Sequence, residues 1–86
     1  MIALLTDFGN SEYAGVMKGV ILSVNEDAKI TDLCNFVQPQ NIKEAAWILY
    51  SSYKYFPKNT VFLCVVDPEV GSKRQCLAIK TKNHFF

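Results

Sequence analysis

The stretch Val61–Val66, VFLCVV, constrains the fold of this chain more than any other. It is apolar throughout, rich in β-branched residues, and stops on a carboxylate, Asp67. A one-sided strand alternates apolar with polar residues. An unbroken run bounded by turn residues therefore reads as a strand covered on both faces, as in a parallel sheet. Asp67 then stands at the C-terminal end of that strand, on the edge where open α/β sheets place their ligands. The loop that follows, DPEVGSKR, can fold Arg74 back towards Asp67. A carboxylate beside a guanidinium stays ionised, and the pair can hold a water molecule or a polar substrate edge. The same pair can equally be a clip that stiffens a turn, and the residues alone leave both open.

The rest of the chain supplies partners for that strand. Ile2–Thr6 is a second buried strand, with Asp7 and Gly9 forming the turn out of it. Tyr13, Val16, Met17, Val20, Ile21 and Val24 fall at i, i+3, i+4, i+7, i+8 and i+11, which predicts an amphipathic helix with that stripe in the core. Gly15 and Gly19 lie on a neighbouring face; glycine weakens a helix, so close backbone packing is expected there. Lys29–Leu33 is a weaker strand candidate. Asn41 followed by Glu44 resembles a capping box and opens a helix running to about Tyr55, burying Ile42, Ala45, Ala46, Leu49 and Tyr53. Pro57, Lys58 and Asn59 break it before the strand Thr60–Val66. A further strand is expected over Gln75–Lys80, then a turn at Thr81–His84, then the start of another strand at Phe85 and Phe86.

The order β-α-β-α-β-β predicts an α/β fold, a mainly parallel sheet built from βαβ units. Asp7 and Asp67 then both follow parallel strands and should face the same sheet edge, where a small-molecule site is expected.

At 86 residues the chain is at most one small domain with a marginal core. A formal net charge of +1 with scattered lysines excludes a polyanion-binding field, so no nucleic-acid partner is expected. The apolar runs are too short to span a bilayer and no secretory signal is visible at the N-terminus, so no membrane partner is expected. Cys34, Cys64 and Cys76 are odd in number and lack CxxC spacing; buried reduced thiols in a cytoplasmic protein are expected. No cluster of metal-ligand type exists in the sequence. Met17 and its stripe are core, Trp47 is a partly buried core or interface residue, and His84 is a surface turn residue.

Three motifs in order, TDFG, YAGVMKGVI and VVDPEVGSKR, with PQNIKEAAWIL and the FPKNT turn between them, give the chain a family resemblance. It resembles the N-terminal part of the S-adenosyl-L-methionine hydroxide adenosyltransferases, the adenosine-forming S-adenosylmethionine hydrolases related to the S-adenosylmethionine-dependent fluorinase and chlorinase. The resemblance runs through essentially all residues. It implies that residues 1–86 form a truncated N-terminal α/β domain and that the family's β-rich C-terminal domain is absent.

The family reaction is water attack on the ribose C5′ of S-adenosylmethionine, giving adenosine and L-methionine, with no cofactor. By resemblance Asp7 holds the ribose hydroxyls, and Asp67 and Arg74 match two members of an Asp–Arg–His set that positions and activates the water. The substrate is a sulfonium cation whose thioether leaves neutral, so catalysis rests on aligning the nucleophile and withdrawing it from bulk water. The halogenases carry a tyrosine where Asp67 stands here; a carboxylate orders water and repels halide, which favours hydrolysis. The resemblance further implies a homotrimer.

Departures from the family pattern are equally specific. Glu69 stands where glycine is usual, and the segment between Gly9 and Tyr13 is one residue short. Asn35 replaces a common histidine, and the family's catalytic histidine is not matched by His84. The 86 residues are accordingly expected to be inactive alone. The alternative is a non-catalytic relic that binds an adenosyl nucleoside or pairs with another subunit. A third reading is a structural α/β domain in which the Asp–Arg pair is only a turn clip.

Overall fold

A computed structural model describes residues 1–66 and 75–86. Four strands, β1 (Ile2–Thr6), β2 (Ile30–Cys34), β3 (Thr60–Val65) and β4 (His84–Phe85), form one sheet in the order β2-β1-β3-β4, with every neighbouring pair parallel. Two helices connect them, α1 (Tyr13–Val24) and α2 (Ile42–Ser52), the second extended by a 3₁₀ turn at Tyr53–Tyr55. The α/β class is the one the hydrophobic pattern predicts, and the elements run β-α-β-α-β-β as expected, although the last strand is His84–Phe85 and not Gln75–Lys80.

β1 is central, and its burial shows it: Ala3, Leu4, Leu5 and Thr6 are all buried. β1 and β3 run in register from Ile2 opposite Val61 to Thr6 opposite Val65, so both end at the same sheet edge. Paired residues in a parallel sheet share a face and successive residues alternate. Leu5 packs with Val37 and Ala45 of the α2 side, whereas Leu63, in register with Leu4, faces α1. The two helices therefore cover opposite faces, as right-handed crossovers in a doubly wound sheet require.

α2 begins as its sequence predicts. The Asn41 side chain accepts the Glu44 backbone N–H at 3.0 Å, satisfying one of the helix's orphan donors. Its buried face is narrower than the periodicity suggests. Ala45 is buried and Ile48 and Leu49 half-buried, but Ile42 and Ala46 are exposed. Trp47, expected as a partly buried core or interface residue, lies outside the core, 66% exposed beside Tyr50.

α1 spans the predicted residues, yet none of them is buried. Its stripe of Tyr13, Val16, Met17, Val20 and Ile21 lines an apolar groove of about 630 Å³ whose far wall includes Leu63. The helix stands off the sheet, so the stripe is only half covered. Gly15 and Gly19 do not serve close packing either: a Cβ built at either one meets nothing within 4 Å.

The C-terminal segment departs most from expectation. Gln75–Ile79 form no strand, and Lys80 makes only an isolated antiparallel bridge to Phe85. The sheet position goes instead to His84–Phe85, paired with Thr60 and Val61 and beginning one residue before the strand start expected at Phe85. Aromatic packing explains the choice. Phe86 stacks on Phe62 at 5.3 Å between ring centroids, and the His84 ring meets Tyr53 and Phe62 at 5.6 and 5.7 Å. The competing segment offers Leu77 and Ile79, which remain 80% and 52% exposed. His84 is thus a buried sheet residue, its Nε2 3.3 Å from the Phe56 carbonyl oxygen, and not the surface residue expected. The turn before it forms as predicted: Thr81 N–H donates to the His84 carbonyl at 2.9 Å, and His84 N–H to Thr81 Oγ1 at 3.1 Å.

The cysteines are free, but only Cys34 is half-buried, while Cys64 and Cys76 are exposed. Partial withdrawal of the Cys64 sulfur from solvent still pushes its thiol pKa up. Among the described residues no helix is long and apolar enough to cross a membrane, and no three His, Cys, Asp or Glu lie close enough together to hold a metal ion.

Candidate functional site

The site is built where β1 and β2 end. Asp7 is the first residue past β1, half-buried. Thr6, immediately before it, is fully buried, and its hydroxyl oxygen accepts the Phe8 backbone N–H at 3.2 Å, a local turn that Thr favours. Gly9 follows at φ +67, a left-handed conformation that costs an L side chain about 1–2 kcal/mol and glycine nothing. Its N–H donates to the Asn35 carbonyl at 2.7 Å. The TDFG turn is therefore fixed at Phe8 and at Gly9, with Asp7 held ahead of both.

The carboxylate itself is oriented from the opposite loop. Asp7 Oδ2 accepts the backbone N–H of Gln40 at 2.8 Å. Gln40 also has positive φ, +62. Its turn is readable residue by residue: Asn41 N–H donates to the Gln38 carbonyl at 2.9 Å, Pro39 takes the second position and Gln40 the third. Proline followed by positive φ is the pattern of a type II turn, which leaves the third residue's N–H unused by the turn and free to meet Asp7. A non-glycine residue held in that conformation is an outlier of the kind that clusters at ligand sites.

Behind Asp7 runs a polar chain. Thr6 Oγ1 donates to Asn35 Oδ1 at 2.8 Å, Asn35 Nδ2 donates to Asp32 Oδ1 at 2.9 Å, and Asp32 Oδ2 pairs with Lys18 Nζ at 2.8 Å. The Lys18 hydrogen bond, seconded by that of Asn35, holds the Asp32 carboxyl below the ordinary aspartate range.

Of the residues singled out in the sequence, Asp7 lies at the expected edge, adjoining the end of β3. Asp67, Arg74 and Glu69 fall outside the described residues. Gln40 escapes sequence reasoning, since its residue type signals no site, and Asn35 is singled out there only as a replacement for a common histidine, not for its bonds to the TDFG turn; the Pro39–Gln40 pair between two polar residues is the signal that a turn is there.

The family described as "SAM hydroxide adenosyltransferase N-terminal domain" matches residues 2–86. The chain belongs to this family. Among curated relatives, the (R)-S-adenosyl-L-methionine hydrolase of Methanocaldococcus jannaschii is 43% identical over 100% of this chain and 34% of its own length. The fluorinase of Actinopolyspora mzabensis is 28% identical over 95% of this chain and 28% of its own length. A crystal structure of an uncharacterized conserved protein from Thermotoga maritima superposes with a TM-score of 0.95 at 44% identity, covering 100% of this chain and 34% of that one. The chain thus spans about a third of the length of the relatives it matches. Those relatives give the family an S-adenosylmethionine-processing character.

Proposed function

We propose that this chain contributes the ribose-binding part of an enzyme that hydrolyses S-adenosyl-L-methionine to adenosine and L-methionine. The observation that carries the proposal is the placement of Asp7. In a chain of this family, it is a carboxylate at the C-terminal end of the central parallel strand, oriented by the Gln40 N–H. A carboxylate there can accept hydrogen bonds from two vicinal ribose hydroxyls, and such charge-assisted bonds are the strong ones.

In the proposed reaction a water oxygen forms a bond to C5′ as the C5′–S bond breaks, its electron pair passing to sulfur. The sulfonium becomes neutral methionine thioether, and the attacking water loses one proton to become the 5′-hydroxyl. Asp67, which follows β3 by two residues in sequence, is assigned to orient that water and accept its proton, with Arg74 keeping the carboxylate ionised. The shared register of β1 and β3 supports bringing Asp7 and Asp67 to one edge. S-Adenosylmethionine is proposed as substrate, with no cofactor. A homotrimer is proposed on family grounds. Hydrolysis is preferred to halogenation because residue 67 is an aspartate.

The test is incubation of the full-length protein with S-adenosylmethionine in ¹⁸O-labelled water, followed by mass spectrometry. Adenosine carrying ¹⁸O at the 5′-hydroxyl, lost in Asp67→Ala while nucleoside binding persists, is the expected result. Nucleoside binding without adenosine release would leave the non-catalytic binder as the correct reading.

A further inference from the structure

We propose that Asn35 is a positioning residue for the Asp7 carboxylate, acting through the TDFG turn; the inference rests on the reading that Asp7 holds ribose hydroxyls. Three observations converge on it.

The first is register. β1 and β2 pair Leu4 with Asp32 but Leu5 with Cys34, so the pairing skips Leu33. Such a bulge moves every following residue of the bulged strand one place back along its partner. Without it Cys34 would reach the level of Thr6; with it, Asn35 does.

The second is donor and acceptor accounting. Asn35 engages the turn twice, its side-chain oxygen accepting the Thr6 hydroxyl at 2.8 Å and its backbone carbonyl accepting the Gly9 N–H at 2.7 Å. Because its oxygen takes the Thr6 proton, the Thr6 hydroxyl oxygen is left to accept from Phe8 at 3.2 Å. Asn35 therefore fixes the residues on either side of Asp7, one bond through Thr6 and one at Gly9.

The third is what holds Asn35 itself. Its amide donates to Asp32 at 2.9 Å, and Asp32 is anchored by Lys18 of α1 at 2.8 Å. That bond also settles which end of the amide faces Thr6, since only the NH₂ end can donate to a carboxylate. The chain Lys18–Asp32–Asn35–Thr6 thus runs from α1 to the base of the candidate site, each link pairing one donor with one acceptor. A residue at position 35 must accept on one side and donate on the other. A neutral imidazole can do both, an aspartate or alanine cannot.

The experiment measures binding of adenosine and of 2′,3′-dideoxyadenosine to the full-length protein, with the ratio of the two affinities as readout. The wild-type protein is expected to favour adenosine by at least about tenfold, the size of one charge-assisted hydrogen bond. In Asn35→Ala that ratio should fall several-fold, with dideoxyadenosine affinity nearly unchanged, and Asn35→His should restore it. A residue that merely stabilised the fold would lower both affinities together and leave the ratio alone. Discrimination surviving intact in Asn35→Ala overturns this inference while sparing the role of Asp7. A wild-type ratio near one overturns the ribose reading and this inference with it. Should Asn35→Ala fail to fold, Thr6→Val, which removes the hydroxyl at nearly constant volume, must show the same fall in ratio; an unchanged ratio there also overturns it.

Discussion

Asp7 and Gln40 come from different loops, yet the Gln40 backbone N–H donates to Asp7 Oδ2 at 2.8 Å. The bond ties the end of β1 to the turn that launches α2, and it is made by a residue in a conformation few glutamines adopt. The strain and the bond belong together, since the same turn geometry that demands positive φ at Gln40 frees its N–H.

This relationship predicts an asymmetric response at position 40. Gln40→Gly keeps the N–H and removes the strain, so it should leave nucleoside binding intact and raise stability by up to about 1 kcal/mol. Gln40→Pro removes the donor and demands negative φ, so it should weaken nucleoside binding and destabilise the fold. Denaturant titration with a parallel binding measurement separates the two.

The glycines of the N-terminal half should behave oppositely to one another. Gly19 sits mid-helix with open space around its Cβ position, so Gly19→Ala should stabilise the chain by about 0.5–1 kcal/mol. Gly9 has equally open space but φ +67, and Gly9→Ala should cost about 1–2 kcal/mol. Thermal melts of the two single variants check the contrast.

The aromatic cluster at the C-terminal edge should dominate stability. Phe62 is 1% exposed and touches Phe56, His84 and Phe86, so Phe62→Ala should cost about 3–5 kcal/mol. A chain of this size has only about 4–13 kcal/mol in all at typical per-residue values. His84→Ala should also destabilise, by leaving a void against Tyr53 and stripping β4 of its anchor. Urea unfolding of both variants is the measurement, and a His84→Ala protein as stable as wild type would contradict the burial described here.

Asp32 predicts a pH dependence. Its folded carboxyl titrates below the ordinary aspartate value of 3.8, chiefly because of Lys18 and then Asn35. A depressed folded pKa adds stability above the unfolded value, and that contribution is lost as pH falls through the folded one. Wild type and Asp32→Asn should therefore differ most near neutrality and converge as pH drops below the ordinary aspartate range. Because the Asp32 side chain is 43% exposed, solvent screening keeps the difference small. Thermal midpoints across an acid titration test it.

How far the sequence carries the fold depends on whether burial or competition decides. β1 and β3 are legible because an apolar run with no polar interruption has few other fates, and α2 because Asn41 and Glu44 mark its start. The face that α1 buries is not legible: helical periodicity says which residues share a stripe, not how closely the helix approaches the sheet. The choice between Gln75–Lys80 and His84–Phe85 as edge strand turns on long-range stacking of Phe86 on Phe62, which no local pattern records. At the site, Asp7 announces itself as a carboxylate ending a strand. Gln40 does not, because its contribution is a backbone N–H whose direction comes from the turn and not from the side chain.

The most direct test of the central claim is the affinity of the full-length protein for S-adenosylmethionine with and without the Asp7 carboxylate. Asp7→Ala should weaken binding by about 1.5–3 kcal/mol for each ribose hydrogen bond lost, a fall of at least about tenfold. An Asp7→Ala protein that binds S-adenosylmethionine as tightly as wild type would contradict the account, because the carboxylate held by Gln40 would then have no part in recognising the nucleoside.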